Sequence, residues 1–154
     1  MRVFIGSAVA IGLAGGLGLA AAGAANADDH MVKLTVVERA ATDAVTDTGD
    51  KGDTAGDILT FANEVYDEAN AKLVGHDNGW CVRTVVGKEW ACFWTLSLDD
   101  GQITVEGPFL DAGDSDLAVT GGTGEYSGIR GEMKLHSRND KGSEYDFTYN
   151  LIKD

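Results

Sequence analysis

The sequence predicts an all-β fold, an eight-stranded antiparallel up-and-down β-barrel, and three observations carry that expectation. Short apolar runs of period two recur between residues 32 and 152. Turn residues stand between them, as in Asp99-Asp100-Gly101, Asp111-Ala112-Gly113-Asp114 and Asn139-Asp140-Lys141-Gly142. No segment sustains the 3.6-residue apolar period that a helix of a dozen residues needs. Eight antiparallel strands closed on themselves leave no exposed edge, and their interior is just wide enough for side chains or one small ligand. A two-sheet sandwich is the competing architecture.

Strands are expected at residues 32–39, 58–66, 80–86, 90–98, 103–109, 117–120, 129–137 and 144–152. The last is the clearest. Tyr145, Phe147, Tyr149 and Leu151 alternate with Glu144, Asp146, Thr148 and Asn150, the pattern of a sheet covered on one face. In the second strand Leu59, Phe61, Asn63 and Val65 share a face, and in the fourth Trp90, Cys92, Trp94 and Leu96 do. Pointed inward, these faces give an aromatic lining with one amide, which either encloses an apolar ligand or simply fills the core.

Two segments break the alternation. Residues 40–56, AATDAVTDTGDKGDTAG, have no large side chain beyond Val45 and read as a long, mobile acidic loop. The spacing of its aspartates is not that of a calcium-binding loop. Residues 117–124, LAVTGGTG, look like a dinucleotide turn, but the helix such a turn requires does not follow, so the glycines are assigned to a tight corner.

Residues 1–27 combine a basic start, an Ala/Gly/Leu/Ile run and the small-x-small site Ala25-Asn26-Ala27, the composition of a secretory signal peptide. The mature chain is then residues 28–154, one domain's length, exported and left with no stable membrane anchor after cleavage. Only Arg2 among the charged residues lies in the leader, so 11 basic and 25 acidic residues remain and the mature charge is −14. That surface repels nucleic acid, whose recognition needs clustered Lys and Arg.

In an oxidising compartment Cys81 and Cys92 are candidates for a disulfide. A hairpin closing near Val86-Gly87 with Val85 opposite Lys88 sets the two cysteines directly opposite each other, two free buried thiols being the alternative. Nucleophile and metal motifs such as G-x-S-x-G and H-E-x-x-H are absent, and His30, His76 and His136 are isolated. No metal or cofactor is expected.

The phrases GDILTFANEVYD, GQITVEGPF and LAVTGGTGEYSGIRGEM together resemble the allene oxide cyclase family, relatives of the dirigent barrels, over nearly the whole mature chain. The resemblance implies a cofactor-free barrel, assembled as a homotrimer, that holds an epoxide of a polyunsaturated fatty acid in one folded conformation and cyclises it. A buried glutamate assists by electrostatics. It assigns the family's inward amide to Asn63, its pocket thiol to Cys81, a ring position to Trp90 and a tyrosine position to Phe109. With Leu59 and Phe61 from the inward face, these are the expected ligand-binding residues. The family's glutamate falls on Thr35, so no catalytic residue is assigned.

The expected function is a secreted barrel that binds an apolar ligand, of unsaturated fatty-acid origin, and steers its cyclisation or isomerisation. The alternative is a non-catalytic carrier or dirigent-like guide, and a third reading is a structural module with a filled core. A polar group at the pocket floor favours catalysis, whereas a purely apolar cavity favours carriage. Export predicts that protein recovered from the medium begins Asp28-Asp29-His30, and N-terminal sequencing checks it. A start at Met1 would contradict the leader assignment.

Overall fold

The computed structural model describes residues 30–153, and the expected signal peptide lies outside the described residues. The strands are β1 (His30–Arg39), β2 (Ala44–Thr46), β3 (Ile58–Asp67), β4 (Leu73–Val85), β5 (Glu89–Leu98), β6 (Gly101–Leu110), β7 (Ser115–Gly124), β8 (Arg130–Ser137) and β9 (Glu144–Lys153). They pair in the order β1-β9-β8-β7-β6-β5-β4-β3-β2, every neighbour antiparallel, and β1 also pairs with β3. That last pairing closes the eight long strands into a barrel, as the sequence predicts, with the short β2 laid against β3 outside the ring.

Alternation sets what fills the interior. Val36, Val65, Leu96, Ile103, Val105, Val119, Met133, Tyr149 and Leu151 are all buried and plug one part of the barrel. Further along the axis the filling is aromatic. The Trp94 ring lies edge-on to Phe61, centroids 6.0 Å apart, and tilted against Phe147 at 5.4 Å. Gly79 makes room for Trp94, because a Cβ there would collide with the Trp94 Cβ and the Phe93 carbonyl.

Four sequence expectations are corrected. β4 begins at Leu73, seven residues before the expected start, although His76, Asp77, Asn78 and two glycines are poor strand formers. Pairing on both sides, with β3 and β5, overrides that local preference. β7 runs through the glycines to Gly124 rather than stopping at residue 120. A register shift between Thr104 and Val105 in β6 takes up the irregularity that the glycines permit. At the β4–β5 turn Val85 pairs with Glu89 instead of Lys88, and a bulge between Arg83 and Val85 restores the register, so that Cys81 still faces Cys92.

The fourth correction concerns residues 40–56, which are not a free loop. Side-chain hydrogen bonds tie them across the barrel end as a strap. Asp57 accepts from Thr48 N at 3.1 Å, Thr54 N at 2.8 Å and Thr54 Oγ1 at 3.0 Å. These bonds, the Thr54 backbone bond foremost, hold its pKa below the usual carboxylate value. The buried Arg83 pins the far side. Its Nε lies 2.6 Å from Asp53 of the strap, its Nη1 2.7 and 2.8 Å from the two Asp111 oxygens, and its guanidinium 4.0 Å over the Trp90 ring.

Cys81 and Cys92 are joined in a disulfide with a Cα separation of 4.0 Å, which staples β4 to β5 at the barrel wall. The natural protein is therefore expected to show an intact mass lower by two hydrogens than its reduced form. Replacing both residues by alanine should cost about 2 to 4 kcal/mol in urea unfolding.

Candidate functional site

Between the aromatic rings and the strap lies a cavity of about 40 Å³. Its walls are Leu59 and Phe61 of β3, the Cys81–Cys92 bridge, Trp94 of β5, Phe109 of β6, Leu135 of β8, and Tyr145 and Phe147 of β9. Phe109, Leu135 and Tyr145 also border a mouth cleft of about 510 Å³ formed with the β6–β7 and β8–β9 turns. The Phe109 and Tyr145 rings meet edge-to-face at 5.9 Å where the two spaces adjoin. The inner space thus opens into the larger mouth cleft.

The cavity is not purely apolar. Glu38 of β1 and Asp43 of the strap both line it. Behind Glu38 stand Asn63 of β3 and Asp77 of β4, each almost fully buried. Asn63 organises the group. Its Nδ2 donates to Glu38 Oε1 at 2.8 Å and to Asp43 Oδ1 at 2.9 Å. Its Oδ1 accepts from Ala41 N at 3.0 Å, Thr42 N at 2.9 Å and Thr42 Oγ1 at 3.0 Å. Its own backbone N donates to Asp77 Oδ1 at 3.4 Å. One amide thus uses both ends, joining β1, β3, β4 and the strap.

Burying carboxyls without a cation favours their protonated forms. Desolvation raises Glu38 to about 7, against the lowering effect of the Asn63 hydrogen bond, and the nearby Asp43 charge adds to the rise. Asp77 is pushed well above the carboxylate range by burial first, then by the charge of Glu38. Asp77 Oδ2 has no donor to accept from. Each carboxyl enters the other's shift, so Glu38 and Asp77 titrate as an interacting pair, Glu38 ionising first. Tyr149 is driven upward by burial, with Asp77 and Glu38 adding to the shift. Its hydroxyl and the indole N–H of Trp94 are buried without a well-formed hydrogen bond.

Of the residues expected from sequence, Leu59, Phe61, Cys81 and Phe109 line the cavity, and Asn63 sits one layer behind it. Trp90 is buried but lies under Arg83, outside the cavity lining. Thr35, the expected position of the family's glutamate, pairs with Thr148 and borders an outer cleft with Lys134 and His136. Alternation places it on the outer face, because it is Val36 and Glu38 that share the inward parity. The sequence reading missed Glu38, Asp77 and Tyr145 as site residues. Inward parity with Val36, and with Gly79 and Cys81, was the available signal for the two acids.

A family model described as allene oxide cyclase matches residues 30–139. The chain belongs to that family. Solved structures similar to it include a pyocyanin demethylase, 28% identical, with 78% of this chain and 99% of that one covered at a TM-score of 0.69. A pterocarpan synthase dirigent protein is 15% identical, covering 80% and 94%, with a TM-score of 0.62. An exo-specific intermolecular Diels-Alderase is 16% identical, covering 80% and 99%, with a TM-score of 0.65. At such identities the latter two establish the shared barrel alone, a fold that in this family and among its neighbours hosts several chemistries.

The raised carboxyls dictate a sign for the pH dependence of stability. Glu38 makes the folded protein bind more protons than the unfolded chain up to about 7 and Asp77 up to about 10, so stability is greatest below that window and declines as pH rises through it. Asp57, Asp67 and Asp114, all lowered, act only below the usual carboxylate range. The melting temperature should fall by at least about 5 °C between pH 5 and pH 8, and Glu38→Gln should flatten the part of that slope that lies below about pH 7. Asn63→Leu strands two carboxyls and two backbone N–H groups together. It should lower stability by about 3 kcal/mol in urea unfolding.

Proposed function

We propose that this member of the allene oxide cyclase family is a proton-transfer isomerase or cyclase. It takes an apolar, unsaturated small molecule into the barrel mouth and presents its reactive end to Glu38. The observation that supports this reading is the meeting of an aromatic cavity with two buried carboxyls, Glu38 on its wall and Asp77 behind it. A general acid or base works best when its pKa lies near the working pH, and Glu38 is raised to about 7. Asp77 stays protonated behind it, and Asn63 fixes its rotamer. The polar floor favours catalysis over simple carriage.

The chemistry follows from position. Phe61, Trp94, Phe109, Tyr145 and Phe147 restrict the ligand to one folded conformation, which converts geometry into rate. Glu38, the carboxyl nearest that space, gives or takes the proton, and as a carboxylate it stabilises positive charge developing on the ligand. The carboxyl that the family uses electrostatically is then supplied by Glu38 rather than from the Thr35 position. Export and a trimeric assembly belong to the same proposal. The signal-like leader and the disulfide support the first, and family membership supports the second.

The test is chiral analysis of the cyclopentenone formed when a fatty-acid allene oxide is generated beside the purified mature protein. The proposal expects an enantiomeric excess. Glu38→Gln should lower the catalysed rate by about 10²- to 10³-fold while leaving KM within a few-fold. Racemic product, or a Glu38→Gln enzyme as fast as the natural one, would favour the carrier reading.

A further inference from the structure

Every ionisable side chain on the cavity wall is an acid: Glu38, Asp43 and the Tyr145 phenol. Arg138 and Lys141 border the mouth cleft rather than the cavity, and two further cations near this end are engaged elsewhere. Arg39 donates to Asn70 Oδ1 at 3.0 Å and the Asn70 carbonyl at 2.9 Å, and lies 3.5 Å over the Tyr66 ring. Arg83 is held by Asp53, Asp111 and Trp90. The acids therefore face an aromatic space whose wall carries no cation. Among the described residues, no three His, Cys, Asp or Glu side chains converge closely enough to hold a metal ion.

Taking the cavity to be the ligand site, as in the proposed function, we infer that the ligand end reaching Glu38 is an organic cation, a planar ring bearing a protonated or quaternary nitrogen. Two independent features favour that chemistry. Ring faces attract cations through their quadrupole, and five aromatic side chains surround the space. A positive charge also supplies the counterion that the buried carboxyls lack. The opposite end of the charge scale is excluded, since an anionic head group driven to the floor would meet Glu38 and Asp43 with nothing to pair with.

Cation binding favours the ionised form of Glu38 and so expels a proton. The groups facing Glu38 from the elements packed around it are Asp43 of the strap, Asn63 of β3, Asp77 of β4, and Tyr145 and Tyr149 of β9. Only Glu38 among the raised groups is placed near 7, so the binding step is tied to its ionisation.

Three probes of one shape test the inference: N-methylquinolinium, neutral 1-methylnaphthalene and anionic 1-naphthoate, each titrated into the intact mature protein by calorimetry at pH 5.5 and pH 8. The cation should bind at least about tenfold more tightly than the neutral ring at pH 8, lose most of that margin at pH 5.5, and release a proton seen as a buffer-dependent heat. Naphthoate should bind weakest. Glu38→Gln should remove most of the margin, Asp43 keeping the remainder, with a far-ultraviolet circular dichroism spectrum like that of the natural protein showing that the variant is folded. Equal binding of cation and neutral ring, or a margin unchanged in Glu38→Gln, overturns the cationic ligand but leaves the cavity standing. Failure of all three probes overturns both this inference and the proposed function.

Discussion

One buried amide holds the functional end of this barrel together. Asn63 is almost fully buried on β3, and its two side-chain ends meet opposite chemical demands. The carbonyl oxygen satisfies two backbone N–H groups and a hydroxyl from the strap, and the NH₂ satisfies Glu38 and Asp43. No other neutral side chain offers an acceptor and two donors in so short a reach. The seam it guards is thin, for β1 pairs with β9 over ten residue pairs but with β3 over only four. Asn63 lies where that short seam opens, so the same contact closes the barrel, anchors the strap and holds a carboxyl at the cavity wall.

The molecule divides its interior between two tasks. One part is packed with aliphatic residues, Tyr149 and Met133, and supplies the hydrophobic stability of the fold. The other places Glu38, Asp77 and three unpartnered polar atoms in a setting where desolvation works against folding. Its supports are correspondingly strong: a disulfide in the wall, an arginine shared by two aspartates and a tryptophan, and a strap fastened through Asp57. Such a concentration of local cost and local bracing is what a preorganised site needs, since groups held in place before a ligand arrives need no reorganisation during reaction.

The barrel was legible in the sequence because alternation and turn chemistry agreed along most of the chain. β9, with Tyr145 to Leu151 inward, needed nothing beyond period two, and the disulfide followed from hairpin register even though the turn itself carries a bulge. The site was only half legible. Leu59, Phe61 and Phe109 obey the pattern, so they could be placed, whereas Glu38 and Asp77 violate it. Asp77 lies in a stretch of polar and glycine residues whose strand exists only because β3 and β5 flank it. The strap was read as a loop because its order comes from side-chain hydrogen bonds to residues some 20 positions away, which no local pattern records. Such failures gather where a chain departs from its own folding rules for function.

The account stands on Glu38 being an acid pushed up to about 7 by burial and fixed in place by the Asn63 hydrogen bond. The most direct measurement is a carbon-detected NMR titration of the side-chain carboxyls in labelled protein, with the Glu38 signal assigned by its loss in Glu38→Gln. The account predicts a midpoint for Glu38 at about 7, with Asp77 still protonated where Glu38 ionises. A Glu38 midpoint in the ordinary glutamate range, with Asp77 ionising beside it, would mean that the floor is hydrated and charged, and would contradict the account.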